Sequence, residues 1–328
     1  MRQLLSAVAY RIIQVLLFPF TLAGYVVFMA RMFSFSRRTG ASTTALSPLY
    51  LRWMLHRLGS RADLPCERLV LALPAVPHQG LRLATAATLL AHRLTGYVPA
   101  GYRYPYRAAV PAAYEEAGRT TFFDAALERH LDAVDQFVLL GAGYDTRAFR
   151  LPAGTAVKCF EVDTARTQAV KRRALAAAGI ESSRITFVEA DFERDDWLGR
   201  LVAAGFDPGK PSFFLWEAVT MYLDRRAVEA TLRAIAGTAA GSVVAFDYFT
   251  AEGLKEKSFF MGVARSSLKA LGEPLTFGID AVPPSWGPVA AFLADRGFGL
   301  EELRAFGRTA GRPQGLGGLV AAVVEARH

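Results

Sequence analysis

The chain has 328 residues, 52% of them hydrophobic, with 38 lysines and arginines against 30 acids and a net charge of +8. That length accommodates one large core, and the apolar content excludes a disordered chain. Two distant cysteines, Cys66 and Cys159, exclude a disulfide framework and a zinc site, and the five histidines show no metal-ligand spacing. The arginines are scattered rather than gathered on a basic helix, so no nucleic-acid partner is expected.

Between Arg11 and Arg31 the chain carries no charge. Residues 12–30 have about the length needed to cross a hydrocarbon core, and Gln14, Pro19 and Gly24 are tolerable inside such a helix. The segment is read as a membrane span or deep anchor. A signal peptide would need a small-residue cleavage site, which Ala30-Arg-Met-Phe33 does not offer. A helix lying in the membrane plane would need a charged face, which the segment lacks. A buried helix or an apolar lid over an active site remains as a rival. Arg2 and Arg11 precede the segment and Arg31, Arg37 and Arg38 follow it. This bias places the C-terminal side at the cytoplasmic face of a membrane, with a plain cytoplasmic protein as the alternative.

Residues 41–118 alternate short helical runs (46–58, 67–73, 79–94) with Pro and Gly breaks, then turn irregular and aromatic over 96–107. They read as a helical cap over the mouth of the following domain, 119–328. A helix over 120–131 leads into that domain. Its elements then alternate: strand 137–140, strand 158–163, helix 165–178, strand 185–188, helix 195–204, strand 212–216, helix 225–238, strand 242–247. After an insertion containing Phe259-Phe260-Met261 come a helix over 286–296, capped by Gly297-Phe298, and a last strand over 318–325. Strands spaced by helices give an α/β fold, a doubly wound parallel sheet covered on both faces.

The first strand breaks at Gly141-Ala142-Gly143, and the second ends in acid at Glu161 and Asp163. A glycine turn followed about twenty residues later by an acidic strand end is the logic of nucleoside binding, the acid taking ribose hydroxyls. A dinucleotide site would want a third glycine where Thr146 stands. Asp145, between the glycines and Arg147, either pairs with that arginine or caps the next helix.

Four stretches in order, Leu140-Gly-Ala-Gly-Tyr-Asp-Thr-Arg-Ala-Phe-Arg-Leu151, Phe160-Glu-Val-Asp163 with Lys171 downstream, Ala190-Asp-Phe192 before Trp197, and Trp216-Glu-Ala-Val-Thr-Met-Tyr-Leu223, resemble the leucine carboxyl methyltransferase family. The resemblance runs from about Thr43 to the C-terminus. It implies a class I methyltransferase, with a Rossmann-like seven-stranded sheet whose final strand enters antiparallel, and S-adenosyl-L-methionine as cofactor. Carried over residue by residue, it implies Gly141 and Gly143 at the methionine portion and Asp163 at the ribose. Asp191 and Phe192 fall at the adenine, and Glu217 near the sulfonium and amino group. Arg119, in Gly118-Arg-Thr-Thr-Phe-Phe-Asp124, matches the arginine for the cofactor carboxylate. Eukaryotic members place a lysine near that carboxylate. Here the stretch is Ser42-Thr43-Thr44, and a threonine hydroxyl is expected to serve, Thr44 ahead of Thr43.

Methyl transfer is an in-line displacement that asks mainly for alignment and water exclusion. Glu217 and Tyr222 are the expected catalytic groups, Tyr222 orienting the acceptor. His56, His78 and His92 are candidate bases for a hydroxyl acceptor. The expected activity is O-methylation, on a hydroxyl or carboxylate, of a hydrophobic small molecule, lipid-like or polyketide-like. The alternatives are methylation of a protein C-terminal carboxylate and a non-catalytic, membrane-attached cofactor binder.

Overall fold

The computed structural model of the chain describes residues 2–42, 44–257, 259–281, 285–308 and 315–326. Two helices come first, α1 (Arg2–Leu16) and α2 (Phe18–Thr39). The uncharged stretch is therefore not one straight helix. It bends at Leu17, with Pro19 in the first turn of α2, and Gly40 ends α2 in the left-handed conformation at φ +63°. α2 is the one helix among the described residues long and apolar enough to cross a membrane by length and composition.

The cap follows as α3 (Leu46–Arg57), α4 (Leu64–Ala72) and α5 (His78–Thr95). Asp63 caps α4 by accepting the Cys66 N–H, and Gly96 terminates α5. α6 (Glu115–His130) leads into the sheet and starts before the expected division at 118, which therefore falls inside a helix.

The remaining elements are β1 (Gln136–Leu140), β2 (Lys158–Asp163), α7 (Ala165–Ala177), β3 (Ile185–Glu189), α8 (Trp197–Ala203), β4 (Ser212–Trp216), α9 (Arg225–Ala236) and β5 (Val243–Phe249). They continue with α10 (Ala251–Leu254), α11 (Phe259–Ala270), α12 (Trp286–Ala294), β6 (Phe298–Phe306) and β7 (Gly317–Val324). Aspartates cap α8 and α9: Asp196 accepts from Gly199 and Asp224 from Ala227. The seven strands form one sheet in the order β3-β2-β1-β4-β5-β7-β6. The first five are parallel, and β7 runs antiparallel between β5 and β6, as the family resemblance implies. This is the class I methyltransferase arrangement.

β1 and β4 are buried along their whole length, as expected of central parallel strands. β6 was not assigned from sequence. Its Leu300-Glu-Glu-Leu-Arg-Ala305 run favours a helix by propensity and has no clean alternation. Pairing with β7 overrides both, and a bulge at Leu300/Glu302 absorbs the misfit. Apolar side chains fill both faces of the sheet. A third cluster joins the cap to α7 through Trp53, Met54, Leu69, Tyr144 and Leu175. The strand order reverses between β1 and β4, and the crevice beyond their carboxyl ends is where ligands bind in open α/β sheets.

Candidate active site

The turn after β1 demands its glycines. Gly141 sits at φ +64°, and a Cβ there would stand 2.4 Å from Val219 Cγ2; Gly143 sits at φ +46°, and its Cβ would stand 2.8 Å from Ala45 Cβ. The Gly143 N–H donates to Asp163 Oδ2 at 2.6 Å, and the Thr164 N–H donates to Asp163 Oδ1 at 2.7 Å. Burial pushes the Asp163 carboxyl up, and these two backbone donors oppose the shift.

A pocket of about 260 Å³ lies over this turn. It brings together Thr44, Gly141, Gly143, Asp163, Asp191, Phe192, Glu217 and Tyr222 of the residues expected from sequence. Thr43 lies outside the described residues. Asp191 holds its own turn, Oδ1 accepting the Glu193 N–H at 3.0 Å. The Phe192 ring sits 5.9 Å from Trp197 and 6.1 Å from Trp216.

Arg119 is not in this wall; it lines the adjoining cavity. The arginine in the pocket is Arg52 on α3, only 2% exposed. Its Nη1 bonds Asp145 Oδ2 at 2.9 Å and reaches Glu217 Oε2 at 3.4 Å, while its Nε has no hydrogen-bond partner. Sequence reasoning missed it. The signal was present, because a lone arginine inside the apolar run Leu49-Tyr-Leu-Arg-Trp-Met-Leu55 needs a buried partner.

Arg147 is fully enclosed and ties Asp124, Asp145 and Glu217 together, its Nε donating to Asp124 Oδ1 at 2.7 Å. The expected pairing of Asp145 with Arg147 is present. Arg61 completes the cluster, its Nε meeting Asp124 Oδ2 at 2.6 Å. The glycine cradle, the acid at the end of β2 and the Arg52 guanidinium in the pocket lining together fit a nucleoside bearing an amino-acid tail. Among the described residues no acid, histidine or cysteine group could hold a metal.

A second cavity, about 530 Å³ and mainly apolar, shares Thr44, Pro48, Ala218 and Tyr222 with the first. Tyr25, Phe28, Met29 and Met32 of α2 form one side, and Leu268, Leu271 and Leu275 another. Its polar corner is Glu115, Glu116 and Arg119. Arg119 Nη1 donates to Glu115 Oε1 at 3.0 Å and to Asp247 Oδ2 at 3.0 Å, and its Nε lies 3.3 Å from Glu217 Oε1. Burial pushes Glu115 up to about 8; Arg119 opposes this, while Asp247, Glu116 and Glu217 add to it. Burial likewise raises the Tyr222 phenol.

Ala218, in the shared wall, holds φ +58°, a left-handed backbone that a non-glycine residue seldom adopts. Its N–H donates to Asp247 Oδ1 at 2.6 Å. The three candidate histidines lie elsewhere. His56 Nδ1 accepts the Asp63 N–H at 3.0 Å, His78 Nε2 meets the Leu71 carbonyl at 2.6 Å, and His92 Nδ1 meets the Tyr97 carbonyl at 3.1 Å. Each serves a local turn, and none lines either cavity.

Comparison with known proteins agrees with this geometry. Residues 104–236 match the family model described as leucine carboxyl methyltransferase. A protein of Mycobacterium sp. (strain KMS) is 35% identical over 57% of this chain and 61% of its own length. One of Mycolicibacterium paratuberculosis is 33% identical over 60% of this chain and 67% of its own. One of Streptomyces avermitilis is 43% identical over 38% and 44%. All three carry provisional names as S-adenosyl-L-methionine-dependent methyltransferases. The alignment to the first of them spans about three-fifths of that relative's length, 61%. With its sheet order, its glycine turn and these relatives, the chain belongs to the leucine carboxyl methyltransferase family of S-adenosyl-L-methionine-dependent methyltransferases.

Proposed function

We propose that the chain is an S-adenosyl-L-methionine-dependent O-methyltransferase acting on a hydroxyl group of a hydrophobic small molecule at a membrane surface. One observation carries this reading: the polar pocket and the apolar cavity meet across the Thr44, Pro48, Ala218 and Tyr222 wall. When bound, the cofactor supplies a methyl group on a sulfonium, a reactive carbon with a good leaving group. What remains for the protein is alignment and exclusion of water.

On the cofactor side, Asp163 takes the ribose hydroxyls, and Asp191 and Phe192 take the adenine. Gly141, Gly143, Thr44 and Glu217 surround the methionine portion. Arg52, which lines this pocket, takes the carboxylate there, and Arg119, which lines the other cavity, belongs to the acceptor side. Tyr222 orients the acceptor oxygen. Glu115 accepts the proton that the hydroxyl gives up as the new O–C bond forms.

The charge balance favours a hydroxyl over a carboxylate. Arg119 is surrounded by Glu115, Glu116, Glu217 and Asp247. The Arg119 charge is already met by neighbouring carboxylates, which leaves little attraction for an anionic acceptor and argues against a protein C-terminal carboxylate.

The test is transfer of labelled methyl into a host extract split into lipid, small-molecule and protein fractions. Full-length protein in detergent is compared with Asp163→Ala. Label in the lipid or small-molecule fraction, lost in the variant, supports the reading. Protease-sensitive label in the protein fraction turns it to C-terminal carboxylate methylation. Intact cofactor binding with no label in any fraction turns it to a non-catalytic binder.

A further inference from the structure

The helices α1 and α2 do not stand free. α5 runs antiparallel beside both of them. Tyr10 packs its ring 5.1 Å from Tyr97, and Gln14 bonds Thr88 at 3.3 Å. Gly24 lies so close to α5 that a Cβ would stand 2.3 Å from the Ala84 nitrogen, and Gly80 faces Val27 and Phe28. Arg31 reaches the Pro74 carbonyl at 3.2 Å.

This packing constrains how the apolar segment can meet a bilayer. If residues 12–30 crossed it, α5 would cross alongside. Yet α5 is free of fixed charge only between Arg82 and Arg93. The ten residues Leu83 to His92 reach about 15 Å, half of a hydrocarbon core of about 30 Å. Arg82, level with Tyr25 and Val26, would sit inside the hydrocarbon. Peeling α2 away from α5 to avoid this would strip Tyr25, Phe28, Met29 and Met32 from the wall of the apolar cavity.

Large apolar side chains on these three helices are left uncovered: Leu5 is 63% exposed, Val15 74%, Phe18 58%, Phe20 59% and Leu94 66%. Exposed apolar side chains gathered on neighbouring helices mark an interaction surface. α1, α2 and α5 together carry seven arginines and not one acidic residue. That charge pattern matches anionic lipid headgroups.

We propose that α1, α2 and α5 form one in-plane docking face. Their outward apolar side chains enter a single leaflet of an anionic bilayer, and their arginines lie at its headgroups. The charged face that residues 12–30 lack is supplied by the folded protein behind them. This proposal rests on membrane attachment as read above and is independent of methyl transfer.

The test uses full-length protein, whose natural Cys66 and Cys159 are buried, added to preformed phosphatidylglycerol–phosphatidylcholine vesicles. Gln3→Cys and Ser183→Cys variants are probed with a membrane-impermeant maleimide. Gln3→Cys should label from outside as fully as Ser183→Cys. Flotation should drop at least tenfold with phosphatidylcholine alone. Leu5→Glu/Val15→Glu/Phe20→Glu should no longer float while melting as the parent does. Labelling of Gln3→Cys only after detergent means a span; attachment then holds and the in-plane arrangement falls. Failure to float overturns both readings, and elution as a dimer in that case identifies a second copy as the cover.

Discussion

Glu115 and Arg119 stand one helical turn apart on α6 and meet at 3.0 Å, with the carboxylate against the apolar cavity. Only the ionised form of Glu115 can take a proton from an acceptor. The rate is therefore expected to rise with pH towards a plateau above about 8, and Glu115→Gln to lose on the order of 10²-fold in kcat with a flattened profile. A pH–rate profile of parent and variant on the same acceptor checks this. An unchanged profile in the variant removes Glu115 from the chemistry.

The same group has a stability signature of fixed sign. Its value rises from the ordinary 4.5 to about 8 on folding, so between those values the folded state holds a proton that the unfolded chain releases. Its contribution is full below pH 4.5 and is lost as pH rises through about 8. Melting temperature should decline across that window in the parent and decline less in Glu115→Gln. Differential scanning fluorimetry in matched buffers reads it.

Asp124 works in the opposite direction. Burial alone would raise its carboxyl, but Arg147 and Arg61 outweigh burial and hold it well below the usual range. The stability it contributes is present above the ordinary aspartate value and is lost as pH falls beneath it. Asp124→Asn leaves two buried arginines short of an anion and should cost about 3–5 kcal/mol near neutrality. Its urea midpoint should approach the parent's in strong acid.

Asp163→Asn should weaken S-adenosylhomocysteine binding by roughly 10- to 100-fold, since the carboxylate proposed to take the ribose hydroxyls, and which accepts the Gly143 N–H, is replaced by a neutral group. Titration calorimetry measures it, with circular dichroism as the control for folding. Affinity equal to the parent's would leave the acid at the end of β2 with a structural task only.

Two glycine replacements should move in opposite directions. Gly24→Ala drives a Cβ into the backbone of α5 and should lower stability by about 1–3 kcal/mol. Gly287→Ala, on α12, meets nothing within 4 Å and should raise it by a few tenths of a kcal/mol. Denaturant midpoints of the two variants against the parent decide.

The central sheet was legible because its strands are short apolar runs bounded by Gly and acid, and both faces are buried. β1 and β4 need no partner information to be recognised. β6 was not legible, since an edge strand with helix-forming residues is fixed by its neighbour and not by its own pattern. The pocket's glycines and acids follow from local chemistry in the same way. Arg52 and Glu115 do not: each acquires its setting from contacts 93 and 132 residues away, with Asp145 and Asp247 respectively, the latter through Arg119. Residues 12–30 read correctly as apolar. What sequence could not supply was α5 lying alongside them, which changes how they can meet a bilayer.

Asp247 carries a consequence for how such an enzyme can diversify. One of its oxygens fixes the left-handed Ala218 backbone between the two cavities, and the other fixes Arg119 at the polar corner of the apolar cavity. A change on α6 that moves Arg119 is therefore expected to be felt in the glycine-turn pocket through Asp247, and also through Glu217, which Arg119 Nε meets at 3.3 Å. With the acceptor in the apolar cavity as proposed, new acceptors are expected to be reached by altering the far wall, Tyr25, Phe28 and Met29, where substitution leaves Asp247 untouched. Acceptor range in relatives with this architecture should drift along α2 while α6 and β5 stay fixed.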